Sequence, residues 1–467
     1  MTDRQYSVDP PSFRKLVRIG FPMIVSQASE TVNLFVDRLF LSWLGKEHLA
    51  AAMSGGLSSF VFGSFFAGIV GYVNAIVAQF YGSRRYGACV QTIGQGFWLS
   101  LFFYPLALGL IPLVLHSFTL AGHSPVQIAL ESRYFTILMY GSVFLFLRNV
   151  FVGFFLGIGK TGVVMLANIL GMAINIPLNY VLVFGAFGIP AMGMEGAALG
   201  TLGGSLTITL FLGIAYLKHQ MYRDHRSSGV WRIRGRLMKK LLRFGVPAGA
   251  ELFINVFAFN VFLQLMHSYG TDVAAAVTIT FNYDMVAFIP MVGLGIATTA
   301  MVGQHVGAGD PEGAKKSIFL SLKTGYVYAG IMSLLFVFGA PALVSTFTGG
   351  MAGEDAGVRA LAEVMIRLAA LYTLADITQL VFSGGLRGAG DTRWVMVLSG
   401  VLHWIMAGIA LLMIRVFRAD PMHVWLMFIG FVLTMGIAMF LRYRSGRWKD
   451  IPLVEDDHEI DSLAEVE

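Results

Sequence analysis

The chain has 467 residues, 56% of them hydrophobic and only 13% charged, with a mean hydropathy of +0.71. Soluble domains carry about 25% charge, so an ordinary water-soluble fold is excluded and a polytopic membrane protein is expected. The net charge of +6 is spread over loops in a way that argues for membrane topology and against nucleic-acid binding, and the lone Cys89 rules out an intramolecular disulfide and suggests no metal site.

Apolar runs of about 20 residues or more give twelve expected spans. Their limits are 16–44, 49–80, 91–117, 129–157, 162–186, 193–217, 239–268, 274–304, 317–346, 360–386, 394–416 and 421–442. The first run is long, carries carboxylates and lacks a small-residue cleavage site, so it reads as a retained helix and not as a signal peptide. Basic residues fall on alternate loops, about 24 of the 33 Lys and Arg on one side and about 6 on the other, which predicts cytoplasmic termini.

In the first span Gln27, Glu30, Asn33 and Asp37 recur at helical spacing and form a polar stripe on an apolar helix. A charge in hydrocarbon costs roughly 2.5 to 3.5 kcal/mol on insertion scales, so Asp37 needs a partner or a function. Arg38 and Arg148 are the basic intruders of this half and are read as partners for Glu30 or as snorkelling side chains. In the fifth span Asn175 and Asn179 share a helix face, with Pro177 between them freeing a backbone carbonyl. These groups suit either interhelical hydrogen bonding or a set of neutral oxygen ligands. In the sixth, MGMEGAALGT places Ala197 and Thr201 four apart among small residues that permit close helix approach.

The polar interval 218–243 reads as a linker between two halves, its charge solvated among lipid headgroups. The expected organisation is an N-lobe at 1–227, a C-lobe at 228–450 and an acidic cytoplasmic tail at 451–467. The halves repeat at a constant offset of 225: Arg18, Gly20 and Pro22 match Arg243, Gly245 and Pro247, Gly45 matches Gly270, Gly68 matches Gly293, and Gln79 and Gly82 match Gln304 and Gly307. Further on, Gly153, Gly157, Gly159 and Thr161 match Gly384, Gly388, Gly390 and Thr392 at an offset of 231. Two six-helix lobes in parallel repeat are the arrangement of many secondary transporters, with binding near the midplane between them. The carboxylates do not follow the repeat, since Asp37 corresponds to Phe262, Glu251 to Ser26 and Asp376 to Leu145.

In the second half Glu251 follows a Gly- and Pro-rich turn of helix, Asp284 occupies the eighth span, and Tyr372, Asp376 and Gln379 share a face of the tenth. Three carboxylates in one lobe's hydrocarbon suggest a binding site, although a salt bridge to Arg367 would satisfy one of them. FLGIGKTG at 155–162 lacks the first glycine and the preceding strand of a nucleotide-binding loop and reads as a cytoplasmic turn. His267, His305, His403 and His423 lack metal-ligand spacing.

These motifs together resemble the multidrug and toxic compound extrusion (MATE) family, nearer to its NorM branch than to its DinF branch. The resemblance covers nearly all of residues 15–445 and rests on Asp37 before WLG, NIPLNYVLVFG, MGMEGAALGT, PAGAE ending at Glu251, QHVGAGDPEGA, and ADITQLVFSGGLRGAGDT containing Asp376. It implies an all-α fold of twelve transmembrane helices in two pseudo-symmetric six-helix lobes that exports lipophilic organic cations in antiport with Na+ or H+. The implied N-lobe cation site is Asp37, Asn175, Asn179, Thr201 and the carbonyl of Ala197. The implied C-lobe cation and substrate site is Glu251, Tyr372 and Asp376, with Asp284 added from its position. Na+ would bind at Asp37 or at Glu251 and Asp376. No enzyme activity, no cofactor besides the coupling ion and no nucleic-acid partner are expected, and the protein is expected as a monomer among the lipids of a bacterial inner membrane. A lipid-linked oligosaccharide flippase of the same superfamily is the alternative. Its anionic substrate calls for a basic cavity, whereas the midplane charges here are mainly acidic.

Overall fold

A computed structural model describes residues 9–120, 124–225, 229–348 and 356–451. They form α1 (Phe13–Leu44), α2 (Lys46–Gly71), α3 (Val73–Gly82), α4 (Tyr86–Gly109), α5 (Ile111–Leu120), α6 (Pro125–Tyr140), α7 (Ser142–Gly157) and α8 (Thr161–Phe184). The chain continues through α9 (Gly193–Lys218), α10 (Gln220–His225), α11 (Gly235–His267), α12 (Thr271–Gly307), α13 (Pro311–Thr348), α14 (Ala356–Ala389), α15 (Thr392–Arg415) and α16 (Pro421–Arg444). A 3-10 turn at Arg447–Asp450 follows. The acidic tail expected at 451–467 lies outside the described residues except for Ile451.

Each expected span is present with its ends moved by a few residues. Three are broken, as α2–α3, α4–α5 and α6–α7, the last bent by 43°. The bend sits at Gly141, where a Cβ would meet the Leu202 side chain at 2.3 Å, so the missing side chain lets α9 press into the break. Among the described residues nine helical stretches are long and apolar enough to cross a membrane, or ten with the bent pair taken as one. The two remaining long helices, α1 and α14, are those that carry Asp37 and Asp376.

The helices gather into two lobes with separate cores. One core is built around Phe146, Val150, Phe154 and Leu212, the other around Phe262, Tyr372, Trp425 and Phe428. The first helix of each half joins both lobes. Leu16 and Ile19 of α1 are buried in the second core, while Leu237, Leu241 and Phe244 of α11 are buried in the first.

The repeat reappears as duplicated contacts between the lobes. A Cβ on Gly82 would lie 1.9 Å from the Gln304 carbonyl oxygen, and one on Gly307 would lie 2.0 Å from that of Gln79. Gln79 Nε2 donates to the Gly388 carbonyl at 2.7 Å, and Gln304 Nε2 to that of Gly157 at 2.9 Å. Each member of these pairs is the repeat equivalent of the other. Gly45 and Gly270, also equivalent, take φ of 132° and 119° at the turns after the first helix of each half, a conformation open to glycine and strained for other residues.

The glycine and glutamine contacts between the lobes lie towards the end of the molecule that carries the linker, and the turns at Gly45 and Gly270 at the other end. Towards the opposite end Phe62 of α2 meets Phe253 of α11, with ring centroids 6.2 Å apart. The linker departs from the expected solvated loop. Gln95 Nε2 donates to the Arg232 carbonyl and its Oε1 accepts from the Arg234 amide, both at 2.9 Å, while Val230 is buried against Gly94. Bound to α4 in this way, the segment belongs mechanically to the first lobe.

Candidate functional site

The first-lobe residues expected to converge do so. Asp37, near the far end of α1, is buried, accepting a short hydrogen bond from Asn179 Nδ2 on Oδ1 and one of 3.2 Å from Thr201 Oγ1 on Oδ2. The Thr201 hydroxyl is also 3.0 Å from the Ala197 carbonyl oxygen. Asn179 Nδ2 further donates to Asn175 Oδ1 at 3.2 Å, and Asn175 Nδ2 to the Gly200 carbonyl at 3.1 Å. Packing of α8 on α9 makes this possible. Gly196, Gly200 and Gly204 form a stripe at i, i+4, i+8, and a Cβ on Gly200 would fall 1.7 Å from Asn179 Oδ1.

That amide oxygen is buried without a hydrogen-bond donor among the described residues. The site therefore holds one carboxylate, a hydroxyl, a backbone carbonyl and a free amide oxygen, a hard-oxygen set of the kind alkali cations use. Arg38 is exposed, at the neighbouring helical position about 100° round the axis from Asp37. Arg148 Nη2 binds Glu30 at 2.7 Å, so these two intruding charges pair with each other and not with Asp37.

In the second lobe Asp284, Tyr372 and Asp376 are brought together from α12 and α14, the Tyr372 hydroxyl lying beside Asp284 and the two carboxylates within electrostatic reach. Tyr372 is buried with its ring edge-on to Phe428 at 5.7 Å and Trp425 at 6.4 Å, which fixes its direction. The asymmetry with the first lobe has a packing cause. Phe262, the counterpart of Asp37, stacks on Phe428 at 4.7 Å and fills with aromatic carbon the place the carboxylate has in the other lobe.

Glu251 does not join this group. Its buried carboxylate takes two hydrogen bonds from Arg387, Nη2 at 2.5 Å and Nε at 3.1 Å. Arg387 lies eleven residues beyond Asp376 on the same helix, about 16 Å along the axis. The Arg387 carbonyl accepts from Tyr72 of the other lobe at 2.8 Å, so the pair sits where the lobes close. Arg367, which the sequence offered as a partner for one of the three carboxylates, pairs with Glu363 at 3.2 Å. Removing one member of a buried pair leaves the other uncompensated, at a cost of about 3 to 5 kcal/mol. Glu251→Gln is therefore expected to lower the melting temperature of the purified protein by several degrees. Arg387→Gln in addition should restore part of the loss. Strictly additive losses in the double variant would mean that the two side chains do not act as a pair.

Sequence reasoning missed Arg387, and also the buried pair of Asp391 with Arg442 Nε at 2.6 Å, because all three stand next to loops and read as surface charge. The repeat gave no signal for them, since Arg387 corresponds to Leu156 and Asp391 to Lys160. Tyr134 of α6, buried beside Asp37, carried no such signal.

Fold and sites define a helical membrane protein of two lobes in parallel repeat, the class to which many secondary transporters belong, with oxygen-rich carboxylate sites in each lobe. The MatE family model matches residues 22–181 and 247–411. The chain belongs to the MatE family. It is 28% identical over 404 residues to the "Probable multidrug resistance protein NorM" of Rhizobium meliloti (strain 1021), covering 85% of each chain. It is 28% identical over 400 residues to the protein of that name from Pasteurella multocida (strain Pm70), covering 84% of each. Among solved structures, an outward-facing multidrug resistance MATE family transporter of the MOP superfamily superposes with a TM-score of 0.84 at 20% identity, over 97% of this chain and all of that one. A MOP superfamily transporter from Pyrococcus furiosus Vc1 (DSM3638), reported with a reverse polarity of its binding pocket, gives 0.85 at 20% identity over the same shares.

Proposed function

We propose that the protein is a secondary active exporter of lipophilic organic cations, driven by Na+ or H+ entry and working by alternating access, with both termini in the cytoplasm of a bacterial inner membrane. The observation that carries this reading is the first-lobe site, in which Asp37 is the one charge among neutral oxygens. One Na+ or one proton brings it to zero. A sodium ion would displace the donated N–H and O–H groups, and a turn of the Asn179 amide would offer its free oxygen in their place. The second lobe supports the cargo, since Asp284 and Asp376 hold two negative charges near aromatic rings, a surrounding suited to an organic cation.

An anionic cargo is disfavoured by the same charges. Arg148, Arg387 and Arg442 each carry a carboxylate partner, while Asp284 and Asp376 face each other with no basic partner among the described residues. Both relatives named as multidrug resistance proteins are in keeping with this choice. Coupling requires cation and drug to favour different conformers, because a ligand indifferent to both shifts nothing.

The test is uptake of ethidium into proteoliposomes of purified protein with Na+ and H+ gradients imposed separately. Accumulation driven by one or both gradients, and collapsed when that gradient is dissipated, is expected. Ethidium movement indifferent to both gradients would end the antiport reading.

A further inference from the structure

On the outer face of the second lobe, α13 and α16 diverge over α14 and leave a groove of about 740 Å³. Its walls are apolar and turned to the membrane: Phe319 is 53% exposed, Ile437 59% and Phe440 37%. Gly436 lays the floor open by lacking a side chain, so that the groove reaches down to α14, and the Tyr326 hydroxyl is fixed on its edge by a 2.8 Å hydrogen bond with Thr378 Oγ1. Neither α13 nor α16 meets the first lobe along this groove, which lies on the periphery and apart from both carboxylate sites.

Lys323 lies in this groove. It is exposed, and no carboxylate is among the ten residues that line the cavity. Lys315, two turns nearer the helix start, differs in pairing with Glu312. Lys323 makes no hydrogen bond or ion pair among the described residues. It stands seven residues beyond Lys316, about 10 Å deeper along the helix. At that depth its stem runs along apolar surface while its ammonium reaches back to the level of lipid headgroups. A cation without a protein counter-ion, placed over an apolar channel at the hydrocarbon boundary, is chemically complementary to one molecule the membrane supplies, an anionic phospholipid.

We propose that this groove is a binding site for an anionic phospholipid of the leaflet at the linker end, its phosphate on Lys323 and one acyl chain along Phe319, Ile437 and Phe440. The lipid would bridge α13 and α16 above their direct contact at Phe319 and Tyr443, whose ring centroids are 6.0 Å apart, and so brace the outer wall of the second lobe. A basic side chain at the membrane surface draws anionic lipid without a groove, so the contrast between Lys323 and Lys315 separates a site from general attraction.

The full-length protein in mild detergent can be titrated with phosphatidylglycerol and with phosphatidylcholine of identical chains and the adducts followed by native mass spectrometry. One lysine near a membrane surface contributes on the order of a fivefold gain toward an anionic lipid. The first phosphatidylglycerol is expected to bind about that much more tightly than phosphatidylcholine, Lys323→Ala to remove the preference, and Lys323→Arg and Lys315→Ala to keep it. Equal binding of the two lipids by the unaltered protein, or a preference that survives Lys323→Ala, would overturn the proposal. The comparison on the unaltered protein stands even if a variant fails to fold.

Discussion

Asp37→Asn should reduce ion-driven export to the level of empty liposomes while leaving a folded protein. The carboxylate is the only charge in the first-lobe site, and the amide that replaces it is nearly isosteric. Thr201 can still donate to its oxygen, and Asn179 retains its bond to Asn175, so packing of α1 on α8 and α9 is preserved. What is lost is the formal charge that a cation or proton must neutralise, and with it the free-energy difference between loaded and empty conformers. A companion measurement addresses the site directly. In a protein shown to be sodium-driven, saturating Na+ should protect Asp37 from carbodiimide labelling. Equal labelling with and without sodium would move the coupling ion elsewhere and leave Asp37 a structural or cargo-contacting residue.

Gly82→Val and Gly307→Val should each cut transport by tenfold or more by preventing the lobes from closing at the linker end. A Cβ at either position would lie about 2 Å from a backbone carbonyl oxygen of the other lobe, an overlap that a rotamer change cannot relieve. The Gln79 and Gln304 hydrogen bonds flank both points, and each contributes on the order of 1 kcal/mol. These contacts join lobes whose cores are separate, so the substitutions penalise one conformer and not the fold itself. Cys89 is the single cysteine and is buried, so spin labels on introduced cysteine pairs across the linker end report the change against a clean background. Longer inter-lobe distances in both variants are expected. Unchanged distances with full transport would show that closure at these glycines is no part of the cycle.

Much of this molecule was legible in its sequence. Transfer free energy is a local property, so runs of apolar residues located the spans to within a few positions, including the two that carry charge. The repeat was readable because equivalent glycines and glutamines make equivalent contacts: Gln79 and Gln304 are conserved between halves for the same bond to Gly388 and Gly157. Helical periodicity placed Asn175 and Asn179 on one face, Ala197 and Thr201 on another, and turned Arg38 from Asp37. The resemblance to a family then named the group that the structure assembles around Asp37.

Only the tertiary structure decided which charges meet. Glu251 and Arg387 are 136 residues apart, and nothing periodic joins them. Arg387 reads as a loop residue because it ends a helix, until the approach of Tyr72 and α11 encloses it. The break at Gly141 depends on Leu202 from another helix, and the linker's attachment to α4 depends on Gln95 reaching two backbone groups. Hydropathy and period are sums over neighbours in the chain and fix which segments are helices and how they lie across a membrane. Pairing of buried charges is set by how glycine faces let those helices approach, and that is fixed only when both lobes are packed.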